Sequence, residues 1–281
     1  MSYLQINHRP SSQYAHYTHH FHSTYEVYYF ISGDADYFVE GTEYHLTPHS
    51  LLLLAPNVLH GVRVKSDRDY VRYCLYFSPS ELLSERRSFL LSSFPNPLKD
   101  SKQAVFYEDL TEFQFENFFY LLQQLDSLPQ EEQQIYYPIY LEGFLARIHL
   151  MCQLRCPSST CASNVSSTIT EIISYLNSHI AQPHTLDDLS QKFYISKYYL
   201  NRSFKRATGT TVIDYLIHKR IFLAKQYLLN GENAVDVAAK VGFTDYSSFY
   251  RAYKRILGTS PGCDKKSVTD SHTGTPERDY L

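Results

Sequence analysis

Tryptophan is absent from this 281-residue chain and methionine occurs only twice. No run of about 18 apolar residues is present, so no membrane-spanning helix is expected. The opening "MSYLQINHRP" lacks the apolar stretch of a secretory signal, which points to the cytoplasm. The five cysteines, Cys74, Cys152, Cys156, Cys161 and Cys263, are odd in number, irregularly spaced and without a CxxC pair. That argues against a disulfide framework or a zinc ribbon, and free thiols are expected. Nor is there a glycine-rich phosphate loop, a GxSxG elbow or an HExxH pair, which removes the commonest signatures of nucleotide-dependent and hydrolytic enzymes.

What is there is an ordinary folded composition, 43% hydrophobic and 20% charged, at a length that suits two or three domains. The net charge of −3 hides an asymmetry. Residues 1–167 hold 11 Lys+Arg against 18 Asp+Glu, whereas residues 168–266 hold 14 against 8. The last fifteen, 267–281, hold 1 against 3. One half repels polyanions and the other attracts them, so a nucleic acid partner belongs on the C-terminal part.

From His20 to about Phe77 short runs such as "EVYYFISG", "ADYFVEG", "SLLLLAP" and "YVRYCLYF" alternate with glycine and proline, the pattern of an all-β barrel or sandwich. From about Asp109 the period becomes helical. Phe115, Phe118, Phe119, Leu122 and Leu125 recur at three- and four-residue steps, and Ile135, Ile139, Leu145 and Ile148 do so beyond "SLPQEE". This predicts an antiparallel helix pair, one face of which could form a dimer seam. "CPSSTCASNVSS" (156–167) reads as a linker, and "SVTDSHTGTPERDYL" (267–281) as a disordered tail.

Past the linker, Thr168 and Glu171 have the form of a capping box ahead of Ile169, Ile172, Ile173, Leu176 and Ile180. A shift of 49 residues then lays "TLDDLSQKFYISKYYLNRSFKRATGTT" (185–211) over "AVDVAAKVGFTDYSSFYRAYKRILGTS" (234–260), with Asp187/Asp236, Arg202/Arg251, Lys205/Lys254, Arg206/Arg255, Gly209/Gly258 and Thr210/Thr259 identical. Each copy of this duplication reads as a short helix, a turn and a longer helix, the form of a helix-turn-helix. In the second copy Asn233 and Asp245 are the caps, Gly242 supplies the turn, and Phe249, Tyr253, Ile256 and Leu257 face inward. Val212–Leu229 is predicted to be one stiff connecting helix, fixing two reading helices to enter grooves about 34 Å apart.

"SKYYLNRSFKRATG" followed by "VGFTDYSSFYRAYKRILGTSP" closely resembles the AraC/XylS family of bacterial transcription regulators, over about the last hundred residues. The resemblance implies transcriptional control, usually activation, at promoter DNA together with RNA polymerase. It places the groove-facing positions of the first reading helix at Tyr198, Asn201 and Arg202, and of the second at Tyr246, Ser247, Tyr250 and Arg251. The residue chemistry agrees: Arg can bond bidentately to guanine and Asn to adenine. Lys197, Lys205, Arg206, Lys254 and Arg255 suit phosphates, which supply affinity rather than sequence choice. The chain departs from the family in two places. "FYIS" has no glycine for the first turn, and Asp264-Lys265 stands where the family usually has Tyr-Arg.

The stretch "HFHSTYEVYYFISG" carries His20, His22 and Glu26, which share a face with Tyr28 and Phe30 if the strand runs unbroken. With "TPHSLLLLAPNVLH", which supplies His60, it resembles the two cupin motifs, His49 replacing the glycine after Pro48. The resemblance brings His20, His22, Glu26 and His60 together inside a barrel. Two uses stay open there. His20, His22, Glu26, Tyr28 and His60 could bind a small effector, a sugar being the expected class, or the three imidazoles and the carboxylate could hold a divalent metal.

The expectation is therefore a multidomain α+β chain. It has a cupin-like sensor barrel at 1–80, a helical dimerisation segment at 81–160 and a double helix-turn-helix at 165–266. It is read as a non-enzymatic, homodimeric regulator that needs no cofactor. The competing reading is a metal-dependent cupin enzyme with an accessory DNA-binding module.

Overall fold

Strand β2 (Tyr25–Ser32) shows how the first half sorts into layers. Successive side chains on a strand face opposite ways, and here both ways lead to apolar neighbours. Val27 and Tyr29 join one buried cluster with Leu51, Leu53, Leu75 and Phe77, while Tyr28 and Phe30 join another with Leu52, Leu54 and Cys74. A strand covered on both faces reads as a continuous apolar run, which is why "SLLLLAP" shows no alternation.

The computed structural model describes residues 3–9, 19–96, 103–158 and 167–264, with the backbone alone at 3–9 and 167. These fall in two compact units that divide at Thr170/Glu171. The first holds a five-stranded sheet in the order β1 (Tyr3–Arg9), β7 (Tyr70–Phe77), β2, β5 (Ser50–Leu54), β8 (Ala104–Tyr107), and a three-stranded sheet in the order β4 (Thr42–His45), β3 (Ala35–Val39), β6 (His60–Val64). Every named strand pair is antiparallel. Tyr37, Val39, Tyr44 and Val62 of the smaller sheet pack with Tyr28, Leu52 and Phe106 of the larger, so the barrel interior is filled by side chains.

The outer face of the larger sheet is covered by α1 (Ser84–Leu91), α2 (Phe115–Leu125) and α3 (Gln130–Leu154). Phe115, Phe119 and Phe144 are completely buried there. Truncating any one of them to alanine should cost about 3–5 kcal/mol. The stretch 81–160, expected to be a helical dimerisation and linker segment, also contributes β8 to the sheet edge, and its helices share one core with the strands. His49 adopts φ +62°, the left-handed conformation of the glycine it replaces. Ser158 N donates to Phe106 O (2.8 Å), tying the start of the expected linker back to β8. Residues 159–166 of that linker, Cys161 among them, residues 10–18 and the tail 267–281 lie outside the described residues.

The second unit is helical: α4 (Ser167–Ser178), α5 (Leu186–Lys192), α6 (Lys197–Thr208), α7 (Val212–Leu229), α8 (Ala234–Lys240) and α9 (Tyr246–Leu257). Thr168 lies within α4 rather than capping it. The other expected caps are in place, and the first copy adds its own. Thr185, Ser196, Thr211, Asn233 and Asp245 each accept a backbone N–H of the following turn. Gly209 and Gly258, both at φ +73°, close α6 and α9.

The duplication is not a uniform shift. The reading helices α6 and α9 superpose at 49 residues, but α5 and α8 superpose at 48. The first turn is one residue shorter, so Asp188, not Asp187, is the counterpart of Asp236. The two turns share their backbone bonding: Tyr194 N donates to Gln191 O as Gly242 N donates to Ala239 O. Without a glycine available, Tyr194 takes the positive φ of that position (+52°, against +91° at Gly242).

Candidate functional site

Two helices carry the basic C-terminal surface. On α6, Leu200, Ser203, Phe204 and Thr208 face inward and are buried. That leaves Lys197, Tyr198, Asn201, Arg202, Lys205 and Arg206 exposed. On α9, Phe249, Ala252 and Tyr253 are buried, with Ile256 and Leu257 packed against their cluster. Tyr246, Ser247, Tyr250, Arg251, Lys254 and Arg255 lie on the exposed side. All the groove-facing and phosphate-facing positions that the family resemblance names are therefore solvent-accessible. Lys197 pairs with Asp187, and Arg255 lies 4.0 Å from Asp214. The departure at Asp264 has a structural use, since Tyr253 OH donates to Asp264 Oδ2 (2.5 Å) beneath α9.

In the first unit the strand does not run unbroken from His20, because β2 begins only at Tyr25 and residues 23–24 form a bend. The imidazoles converge for another reason. His20 and His60 pair their backbones as an isolated antiparallel bridge, and Asn57 N donates to His22 O (2.8 Å). His22 Nε2 and His60 Nε2 lie 3.0 and 3.1 Å from Glu26 Oε2, and His60 Nε2 lies 3.1 Å from His20 Nε2. Burial alone would raise the Glu26 carboxyl; the charge of His60 and hydrogen bonds with His22 and His60 outweigh it and hold the group well below the usual carboxylate range.

Tyr28 is not part of this cluster. Its hydroxyl pairs with Tyr70 OH (2.7 Å) inside the core.

Profile comparison matches residues 6–146 to the AraC-like ligand binding domain and residues 189–267 to a helix-turn-helix domain. The chain belongs to the AraC family. It is 29% identical over 233 residues to the HTH-type transcriptional regulator YbfI of Bacillus subtilis, covering 81% of this chain and 79% of that protein. The regulatory protein SoxS of Escherichia coli strain K12 is 32% identical over 94 residues, 33% of this chain and 88% of SoxS. Among solved structures, apo ToxT from Vibrio cholerae aligns over 94% of this chain and 97% of its own at 16% identity, with a TM-score of 0.40.

Within this AraC-family chain the structure adds residues that the sequence reading passes over. Tyr37 OH donates to Glu26 Oε1 (3.3 Å), and Tyr76 stands opposite Glu26 in the β2–β7 register with its ring 5.0 Å from that of His22. The alternation of β3, which turns Ala35, Tyr37 and Val39 inward together, is the signal that could have found Tyr37. Glu116 of α2 meets His49 Nδ1 (2.7 Å) and accepts from Tyr29 OH (3.1 Å), a polar tie between sheet and helix. Among the described residues Cys74, Cys152, Cys156 and Cys263 are free thiols, and no helix is long and apolar enough to cross a membrane.

Proposed function

We propose that this protein is a cytoplasmic, homodimeric transcription regulator that reads a bipartite DNA site and responds to a small polar effector held by its β domain. The observation that carries the DNA reading is the pair of capped helix-turn-helix units, each presenting Arg, Lys and Tyr from its second helix to solvent. Arg202, Asn201 and Tyr198 are assigned to base edges of one half-site, and Arg251, Tyr250, Ser247 and Tyr246 to the other. Lys197, Lys205, Arg206, Lys254 and Arg255 are assigned to phosphates. Activation through RNA polymerase and a sugar as effector are the finer parts of the reading. Clustered imidazole, carboxylate and phenol groups support the latter, because they suit hydroxyl-rich ligands. For the effector to act as a switch it must bind one state of the chain better than the other.

Support for a dimer comes from α3. Ile135, Ile139, Leu150 and Leu154 are each more than half exposed, and Gly143 and Ala146 lie exposed between them. At helical spacing these six fall within one arc about 100° wide. They are also self-complementary: an antiparallel second copy centred between Phe144 and Leu145 sets Ile135 against Leu154, Ile139 against Leu150, and Gly143 against Ala146. Nothing lies within 4 Å of a Cβ built at Gly143, so a partner helix can approach closely there.

Selection of duplexes from a random library by the full-length chain tests the DNA reading. Enrichment of a two-part motif with unequal halves is expected. Retention of all sequences alike would overturn the base assignments.

A further inference from the structure

We infer that Tyr246 and Tyr250 of α9 form a paired reader of C5-methyl groups in the major groove, so that the half-site under α9 is recognised through the methyls of thymine. The inference rests on the DNA reading above and names the chemistry that the second copy recognises. The two reading helices act as controls for one another. At the shift of 49 residues Arg202 matches Arg251, and both are exposed. Beside that shared arginine the copies part: Lys197 and Asn201 of α6 match Tyr246 and Tyr250 of α9. Residues four apart are neighbours on one helix face. One copy therefore offers a cation and an amide where the other offers two phenol rings.

The rings make a joint surface. Their centroids are 6.3 Å apart, and that of Tyr246 lies 5.8 Å from Phe249 in the core beneath. Each tyrosine is 38% exposed, so part of each ring is left for a partner to cover. Asp245 accepts from Ser248 N (2.7 Å), which fixes the turn that carries Tyr246.

What a duplex displays decides the partner's chemistry. Base faces are stacked on one another, so a side chain in the groove meets base edges. The donors and acceptors on those edges are polar, and the apolar group in the code is the C5-methyl of thymine. Asn201, at the position of Tyr250, suits adenine instead. The ring separation matches about two base steps, at about 3.4 Å per step. Cytosine methylated at C5 presents the same methyl, and a phenol hydroxyl can donate or accept beside it. On α6 the matching face keeps one ring, Tyr198 beside Asn201 and Arg202, so the first half-site should depend less on methyls.

The test selects duplexes with the full-length chain from two random libraries, one built with thymidine and one with deoxyuridine, which pairs alike and lacks only the methyl. A two-part motif with thymine enriched in one half is expected from the first library. From the second, that half should lose its preference and the other should persist. On the selected site, each enriched thymine replaced by deoxyuridine should weaken binding about fourfold. At the same positions 5-methylcytosine should bind more tightly than cytosine. Tyr250→Phe should behave as wild type, whereas Tyr246→Ala and Tyr250→Asn should each reduce the response to the methyl. Both sites are exposed, and circular dichroism checks that the helices persist. The same motif from both libraries, or Tyr250→Phe losing as much affinity as Tyr250→Asn, would overturn the inference and leave the regulator reading standing. No motif from either library would overturn both.

Discussion

The two turns of the DNA-reading unit make opposite demands, and a pair of substitutions exploits this. Gly242 sits at φ +91°, and a Cβ there would stand 2.4 Å from the carbonyl oxygen of Ala181 and 2.9 Å from its carbon. Ala181 cannot easily retreat, because Arg220 donates to Ile180 O (2.9 Å) and Gln182 O (2.6 Å) on either side of it. Left-handed backbone at a non-glycine residue costs about 1–2 kcal/mol. Disturbing one of the guanidinium hydrogen bonds adds about 1.5–3 kcal/mol. Gly242→Ala should therefore destabilise the unit by about 3 kcal/mol or more. Tyr194 occupies the matching position with its side chain 95% exposed, so Tyr194→Gly relieves strain and loses no packing. Offset by the added freedom of the unfolded chain, the gain should reach at most about 1 kcal/mol. With no tryptophan to report, urea denaturation of the full chain followed by far-ultraviolet circular dichroism is the assay. Gly242→Ala unfolding at the wild-type midpoint, or Tyr194→Gly losing more than about 0.5 kcal/mol, would refute the turn equivalence.

Other outcomes follow from the same geometry. Arg202→Ala and Arg251→Ala should each cost about 1–3 kcal/mol on a selected site and little on random duplex, measured by fluorescence anisotropy with labelled DNA. Lys205→Ala should weaken all sequences alike and reduce the dependence of affinity on salt by about one counterion. Leu150→Lys sets its charge against Ile139 of the second copy and should yield monomer in sedimentation velocity, with circular dichroism unchanged. Asp36 is buried, which opposes ionisation, but contacts with His45, Arg63 and Lys65 hold its carboxyl at about 2 against an ordinary 3.8. Its contribution is complete above the ordinary value and is lost as pH falls through about 2, so Asp36→Asn should flatten the decline in stability across that window.

The reading helices were legible because their signals are local: caps, glycine stops and apolar spacing lie within a dozen residues of each other. The one-residue difference between the copies was not, since a uniform shift of 49 still aligned six identities. The mismatch at Asp187 appears only when helix ends are compared. In the β domain the pattern exposed the strands and the motif exposed His20, His22, Glu26 and His60. Tyr28 lies deeper than the imidazoles, next to Tyr37, because sharing a face places a side chain toward the interior without saying how deep. A hydrogen-bonded tyrosine pair closes that layer. Strand β8 was missed because four residues, "AVFY", gain their strand identity from pairing with β5 and carry too little pattern of their own.

Unequal turns give the DNA reader a front and a back. Two identical copies related by a two-fold axis would lie on a duplex equally well in either direction. Here the copies differ by one residue between supporting helix and reading helix, and they present different side chains at the matched positions. Reversing such a chain on its site would exchange both the spacing and the letters, so each subunit should bind with a single heading. The direction in which it faces a neighbouring gene would then be written into the order of its two halves.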